Sequence, residues 1–266
     1  MIGKGLQAEF IRKLQRPPSE PPRPPSLASS TVRAMFGPDV AVATESPHRG
    51  GDALFPDEQS YIAGACERRR VEFGTARFCA RRALAELGVA PCALVPDPDR
   101  SPRWPENIRG TIAHSRHACA AALTKAPHIL GIGLDLEEDT PLEPDLEAII
   151  CTTTERSWLD PFGPPERGLL GKVIFCAKEA FYKCQYPISR KFLDFSDVTL
   201  SIDLAQGTFR IADLSRAGAP WDRLRDVTGQ FRRQNGLVIA TAMLASQALR
   251  RKDRLGHGAL PAKPTG

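Results

Sequence analysis

The sequence has few large aromatic residues and lacks the long apolar segments of membrane proteins. Tryptophan and tyrosine occur three times each among 266 residues, so the core must consist mainly of aliphatic side chains and phenylalanine. No apolar run is long enough to span a bilayer, and the N-terminus has no apolar region typical of a secretion signal. We therefore expect a cytoplasmic protein without a membrane span.

Paired metal-binding cysteines are also missing. The seven cysteines form no Cys-x-x-Cys pair, their number is odd, and several lie inside apolar runs. This usage predicts reduced, buried thiols rather than a disulfide framework or a zinc site.

Several motifs of common enzyme classes do not occur. The chain contains no GxxxxGK[ST] loop, no HExxH helix and no serine nucleophile elbow. Its formal charge of +5, from 36 basic and 31 acidic residues, favours phosphates or an acidic partner. This excess is too small to indicate nucleic-acid binding.

The pattern along the chain predicts an α+β protein with loose ends. Residues 1–31 form a proline-rich leader that we expect to be disordered, and residues 250–266 a flexible tail. Between them, helical periodicity is followed by strand-like runs, and this succession occurs twice. Helices are predicted at 63–87, 144–150, 154–159 and 172–185, and strands at 109–113, 118–124, 129–136, 198–202, 208–211 and 237–244. We expect two α+β halves, 32–130 and 131–249.

The most informative strand carries two carboxylates. In the segment from Gly131 to Glu137, Asp135 and Glu137 are two residues apart and would project from the same face. Adjacent carboxylates repel each other unless a cation lies between them, and hard oxygen ligands suit magnesium. The alternative is a solvated strand end, since the acidic run continues through Glu138 and Asp139.

A predicted helix adds a third carboxylate. Glu179 and Lys183, in the segment FCAKEAFYK, are four residues apart and share a helix face. The simpler interpretation is an ordinary intrahelical salt bridge. The alternative assigns Glu179 to a metal ion and Lys183 to a phosphate oxygen.

An arginine-rich helix and a single histidine complete the candidate residues. Arg70, Arg77 and Arg81 follow helical spacing along one flank, and Arg69 is expected close to Arg77 two turns on. Guanidinium groups match phosphate oxygens. A solvated basic face would explain some of them equally well. His114 ends a predicted strand, where a lone histidine is usually structural.

These segments together resemble the 4′-phosphopantetheinyl transferases, in particular the type of enterobactin synthetase component D. The resemblance rests on segments in the family's order over roughly residues 60–205: ERRRVEF, RFCARRAL, PRWP, IAH, IGLDLE and FCAKEAFYK.

The resemblance implies a pseudo-dimer of two similar α+β halves with the active site in the cleft between them. It implies magnesium bound by Asp135, Glu137 and Glu179, with Lys183 near the pyrophosphate of coenzyme A. It also implies that Arg69, Arg77 and His114 contact the coenzyme A phosphates. It implies a further nucleotide contact by either Arg100 or Arg103, and the sequence does not show which of the two makes it.

The implied reaction transfers 4′-phosphopantetheine from coenzyme A to a serine of an acyl, peptidyl or aryl carrier protein and releases 3′,5′-ADP. Such an enzyme is a holo-carrier-protein synthase, with a siderophore pathway among several it could serve. Glu179 is the first candidate for the base that accepts the serine proton. We expect a monomer that binds neither nucleic acid nor membrane. The alternatives are another magnesium-dependent phosphotransferase and a non-catalytic coenzyme A or carrier-protein binder.

Overall fold

The structure is a computed structural model that describes residues 27–48, 53–216, 218 and 221–246. Seven α-helices lie in these ranges: α1 (Ser29–Phe36), α2 (Pro56–Gln59), α3 (Glu67–Glu86), α4 (Pro144–Ile150), α5 (Thr153–Leu159), α6 (Pro164–Ser189) and α7 (Trp221–Leu224). Eight strands accompany them: β1 (Ala41–Glu45), β2 (Arg109–His114), β3 (Cys119–Thr124), β4 (Ile129–Glu138), β5 (Val198–Asp203), β6 (Thr208–Leu214), β7 (Thr228–Gln234) and β8 (Leu237–Ala245). The predicted α+β class is confirmed.

The strands form two antiparallel sheets. The N-terminal sheet has the order β1-β3-β2, and the C-terminal sheet has the order β4-β8-β7-β6-β5. The two sheets meet where the backbone N–H of Leu134 donates to the Thr111 hydroxyl at 3.1 Å. Side chains of α1 and β4, including Val32, Ile132 and Leu134, share one apolar core at this junction.

Each sheet carries one long helix, and both helices have clear end signals. Helix α3 ends before Gly88, whose φ of +75° suits glycine, while the N–H of Val89 returns to the Leu84 carbonyl. Helix α6 starts at Pro164, not near residue 172 as the periodicity predicted. Proline fits the first turn of a helix because no intrahelical partner awaits its missing N–H.

Helix α6 lies unusually close to strand β4. An added Cβ on Gly133 would lie 1.8 Å from the Ala180 carbonyl oxygen, and one on Gly131 would lie 2.7 Å from the Cys184 carbonyl oxygen. Glycine at these two positions therefore lets the helix backbone rest on the strand. The same face of β4 continues into Asp135, so this close packing brings the carboxylate-bearing strand against α6.

Three parts of the sequence prediction need correction. The disordered leader was predicted to reach residue 31, but α1 begins at Ser29 because Val32, Met35 and Phe36 bury against the sheet junction. Strands β1 and β7 were not predicted, since β1 is only five residues long and β7 is largely polar. Residues 1–26 and 250–266 lie outside the described residues.

Within the described ranges, no helix is long and apolar enough to cross a membrane.

Candidate active site

A large cleft separates the two halves. Its volume is about 1310 Å³, and α3, β2, the loop at 96–104 and the C-terminal part of α6 line it. Seven residues singled out in the sequence line this cleft: Arg69, Arg77, Arg100, Arg103, His114, Glu179 and Lys183. The fold thus brings together cationic and acidic groups that are far apart in the sequence.

Arg77 forms part of the basic wall. Its side chain is buried, its guanidinium stacks 3.6 Å from the Phe73 ring centroid, and its Nε donates to the Leu94 carbonyl at 3.3 Å. Burial lowers the pKa of Arg77, and the nearby Glu58 carboxylate partly offsets this effect. These contacts fix the guanidinium plane, while its side chain still reaches the cleft.

Glu58 holds this wall in place from behind. It is fully buried and accepts hydrogen bonds from Arg81 Nη1 at 2.9 and 3.1 Å, as well as from the backbone N–H groups of Leu94 and Phe55. A buried carboxylate with three donor groups and four contacts is well compensated for its desolvation. Arg81 therefore supports the structure instead of facing the cleft.

Arg69 and His114 contact each other across the cleft floor. Arg69 Nη1 lies 2.9 Å from His114 Nε2, and His114 Nδ1 lies 3.9 Å from a Glu72 carboxylate oxygen. Burial lowers the pKa of His114, and the positive charges of Arg69 and Lys183 add to this effect against the opposing charge of Glu72. A neutral imidazole can accept the Arg69 hydrogen bond, whereas an imidazolium cannot.

The 96–104 loop distinguishes the two arginine candidates. Arg103 donates to the Asp97 carboxylate from Nε at 2.9 Å and from Nη2 at 2.7 Å, so its charge is already compensated. Arg100 has a left-handed backbone, with φ of +68°, and within the described ranges its guanidinium has no hydrogen-bond or ion-pair partner. Of the two, Arg100 is the arginine with its donors available.

The carboxylates of β4 lie against lysines of α6. Lys183 Nζ donates to Asp135 Oδ1 at 2.6 Å, and Lys172 Nζ donates to Glu137 Oε2 at 3.3 Å. Lys183 thus pairs with Asp135 on the neighbouring strand, not with Glu179 one turn away. Burial would lower the pKa of the Lys183 ammonium, but the Asp135 carboxylate more than offsets this and the pKa is raised.

The three carboxylates predicted as metal ligands affect one another electrostatically. Burial, followed by the charge of Asp135, raises the pKa of both Glu137 and Glu179. Glu179 lines the cleft, whereas Asp135 and Glu137 lie beside it on β4. The structure brings the three groups to one region, although no three metal-binding side chains among the described residues are arranged closely enough to hold an ion.

One oxygen of Asp135 has an unusual environment. Asp135 Oδ2 is buried and, among the described residues, has no hydrogen-bond partner by distance. The nearby Cys176 thiol is only a weak donor, and its S–H donates to the Val238 carbonyl at 3.6 Å. Burial, and then the charges of Asp135 and Glu137, raise the pKa of this thiol well above its ordinary value. A buried carboxylate oxygen without a strong partner fits a hard cation such as magnesium.

Several residues of the cleft were not singled out from the sequence. The aromatic side chains of Tyr182, Tyr186 and Phe192 line one wall, with the two tyrosine rings stacked at 5.4 Å between centroids. Tyr186 Oη donates to Asp99 Oδ2 at 2.9 Å and so links α6 to the 96–104 loop. Tyrosines four apart on an amphipathic helix are usually core residues, so their spacing alone gave no signal.

Comparison with known proteins agrees with this geometry. The family 4′-phosphopantetheinyl transferase N-terminal domain matches residues 57–124, and the 4′-phosphopantetheinyl transferase superfamily matches residues 131–242. These two matches fall on the two sheet-bearing halves that flank the cleft.

Named relatives give the same result over most of the chain. The 4′-phosphopantetheinyl transferase Svp of Streptomyces mobaraensis is 31% identical over 77% of this chain and 84% of the relative. PptT of Mycobacterium tuberculosis is 30% identical over 82% of this chain and 98% of the relative. Enterobactin synthase component D of Salmonella typhi is 28% identical over 50% of this chain and 55% of the relative. The chain belongs to the 4′-phosphopantetheinyl transferase superfamily.

Proposed function

We propose that this transferase moves 4′-phosphopantetheine from coenzyme A to a serine of an acyl, peptidyl or aryl carrier protein, releasing 3′,5′-ADP as a holo-carrier-protein synthase does. The observation that carries this proposal is the cleft itself. It gathers Arg69, Arg77, Arg100 and His114 with Glu179 and Lys183 between the two halves. A basic wall opposite an acidic and lysine-bearing wall suits a substrate with several phosphates beside a reacting centre.

The basic wall is the proposed site of the coenzyme A phosphates. Arg77 and Arg69 are held by neighbouring groups and retain further N–H donors, since a guanidinium carries five. Arg100 is assigned the nucleotide contact that the sequence left open, because Asp97 already compensates Arg103. His114 contributes from the edge of β2. A cleft of this volume accommodates a dinucleotide-sized ligand.

Asp135, Glu137 and Glu179 are the proposed magnesium ligands. The buried Asp135 oxygen without a strong partner, together with the carboxylates of Glu137 and Glu179, whose pKa values are raised by burial and then by the charge of Asp135, is a donor set of the chemistry that magnesium prefers. When bound, magnesium would stabilise negative charge on the pyrophosphate oxygens. Lys183 and Lys172 neutralise Asp135 and Glu137 in the structure described.

The chain's own residues account for the other requirements of the transfer. The serine oxygen would form a bond to the β-phosphorus of coenzyme A as the bond from that phosphorus to the bridging oxygen breaks. The departing electron pair stays on 3′,5′-ADP, and Lys183, which lines the cleft, would stabilise this charge. Glu179 lines the cleft one helical turn from Lys183, within the region where the serine must enter, and would accept its proton.

The partner and setting are part of the same proposal. The excess of basic over acidic residues favours an acidic carrier-protein surface. Among the described residues, one chain supplies the lining of the cleft, which supports a monomer, and the proposed setting is the cytoplasm.

The proposal is tested by incubating the protein with coenzyme A, magnesium and a panel of apo carrier proteins, followed by intact-mass spectrometry. We expect one carrier to gain a single phosphopantetheine on its serine. EDTA should abolish the gain, and so should Glu179→Ala. The matched control is Glu166→Gln, which alters a carboxylate of the same helix outside the cleft.

The outcomes separate the alternatives. Binding of coenzyme A without modification of any carrier would favour a non-catalytic binding protein. Transfer of a phosphoryl group to another acceptor would favour a different phosphotransferase. Full activity of Glu179→Ala would remove Glu179 from the reaction.

A further inference from the structure

Glu72 is a buried carboxylate directly behind the basic wall. Its side chain is only 8% exposed, and its carboxylate lies 3.8 Å from Arg69 Nη1 and 3.9 Å from His114 Nδ1. Arg69 and His114 line the cleft, whereas Glu72 does not. A ligand in the cleft would therefore meet Arg69 and His114, with Glu72 in the layer beneath them.

The contacts among Glu72, His114 and Arg69 determine which ring nitrogen of His114 carries the proton. Because Arg69 only donates, its 2.9 Å contact with Nε2 requires the His114 proton to reside on Nδ1. Nδ1 is the ring nitrogen that faces Glu72. The carboxylate charge favours this tautomer and at the same time attracts Arg69, so both cleft residues are oriented by one buried group.

A purely structural role does not explain the burial of Glu72. It is the sixth residue of α3, beyond the first turn where an acidic side chain stabilises the helix dipole. Its other ion pair, with Arg68 at 3.2 Å, involves a side chain that is 79% exposed. Such pairs at i, i+4 contribute little and do not require a buried carboxylate.

We propose that Glu72 is a positioning residue that holds Arg69, through its charge and through His114, for binding of the coenzyme A phosphates. This inference rests on the proposed function, because it assigns a support to that binding site. It predicts a defect in coenzyme A binding when the charge of Glu72 is removed. The chemical step should be unaffected once coenzyme A is saturating.

A double-mutant cycle tests the coupling. Glu72→Gln should raise the KM for coenzyme A about tenfold and leave kcat within about twofold of wild type. In the Arg69→Ala background, the same change should cost about twofold or less. Glu86→Gln is the matched control, since it alters another acidic residue of α3 that pairs with Arg33 away from the cleft.

A second measurement is made on the wild-type protein and does not depend on any variant of Glu72. Nitrogen-15 NMR of the wild-type protein should show His114 as the Nδ1–H tautomer, with its signal assigned by His114→Gln. An Nε2–H tautomer would overturn the proposal, and so would equal effects of Glu72→Gln in both backgrounds. If wild-type protein neither binds nor uses coenzyme A, the proposed function fails. The tautomer measurement then still tests the contacts among Glu72, His114 and Arg69.

Discussion

Gly133 and Ala180 determine how helix α6 sits on strand β4, because a Cβ at Gly133 would lie 1.8 Å from the Ala180 carbonyl oxygen. The glycines of the IGLDLE segment therefore serve packing, while its carboxylates are the proposed magnesium ligands. Through this contact the strand that carries Asp135 meets the helix that carries Glu179 and Lys183. Because glycine at positions 131 and 133 permits this contact, the relative positions of Asp135, Glu179 and Lys183 depend on these two glycines.

Gly133→Ala should displace α6 from β4, since backbone atoms rather than flexible side chains occupy the space. We expect a loss of about 3 kcal/mol in the free energy of unfolding, measured by urea denaturation, together with reduced transfer activity. Gly163→Ala is the control, because a Cβ at Gly163 meets nothing within 4 Å. Equal stability of the two variants would contradict the close-packing account.

The hydrogen bond from Tyr186 to Asp99 joins the two halves at the cleft. Tyr186→Phe should speed the release of a fluorescent coenzyme A analogue about threefold, measured by stopped-flow displacement, with little change in melting temperature. Ser215→Ala is the matched control, since it removes a hydroxyl that donates to Asp197 Oδ1 at 2.7 Å outside the cleft. Unchanged release in Tyr186→Phe would show that the contact does not retain the ligand.

Lys178 belongs to the core, although it directly precedes Glu179. It is 2% exposed, pairs with Glu155 at 2.7 Å and donates to two backbone carbonyls. Lys178→Met should lower the free energy of unfolding by about 3–5 kcal/mol, because Glu155 loses its buried partner. Lys178→Met combined with Glu155→Gln should recover part of that loss in the same urea experiment. A stable single variant with normal unfolding would contradict this assignment.

The thiols offer a test by chemical modification and pH. Burial raises the pKa of Cys119, Cys151 and Cys184 to about 12, so these thiols stay protonated in the folded protein at pH 8. Alkylation of native protein should therefore modify the exposed Cys66 first, as read by peptide mass spectrometry. Rapid labelling of Cys184 in native protein would contradict the packing described.

The same thiols predict how stability depends on pH. Their folded pKa lies above the ordinary value of 9.0, so unfolded chains release thiol protons first as the pH rises. The stability contribution is complete below pH 9 and is lost progressively between pH 9 and about 12. Replacing Cys184 by alanine should reduce the slope of melting temperature against pH in this window. An unchanged slope would contradict the shifted pKa of this thiol.

Local periodicity was sufficient for much of the fold. Helix α3 was predicted because its apolar residues recur at helical spacing and end at Gly88, and strand β4 was predicted from its strongly apolar run. Strand β7 was missed because one of its faces carries the polar residues Thr228, Gln230 and Arg232, and its strand structure depends on pairing with β6 and β8. Helix α1 was missed because its apolar face is defined by a sheet that is distant in the sequence.

The site, like the fold, has features that local sequence patterns predict and others that depend on distant packing. Seven charged or histidine residues of the cleft were predicted from segment patterns and from the family resemblance, whereas its aromatic wall was not. Their partners were not predicted, since the sequence does not state that Asp99 meets Tyr186 across 87 positions, or that Lys183 selects Asp135 over Glu179. Such pairings depend on how the halves and the helix pack, and residue types alone do not determine them.

The most direct test of the central claim measures both products of one reaction. The experiment is a single turnover with coenzyme A, magnesium and the apo form of the carrier that the mass-spectrometric panel identifies as a substrate. Holo-carrier and 3′,5′-ADP are quantified together over time. The account predicts that the two products appear in equal amounts and at the same rate. Release of 3′,5′-ADP without carrier modification, or retention of intact coenzyme A with neither product, would contradict it.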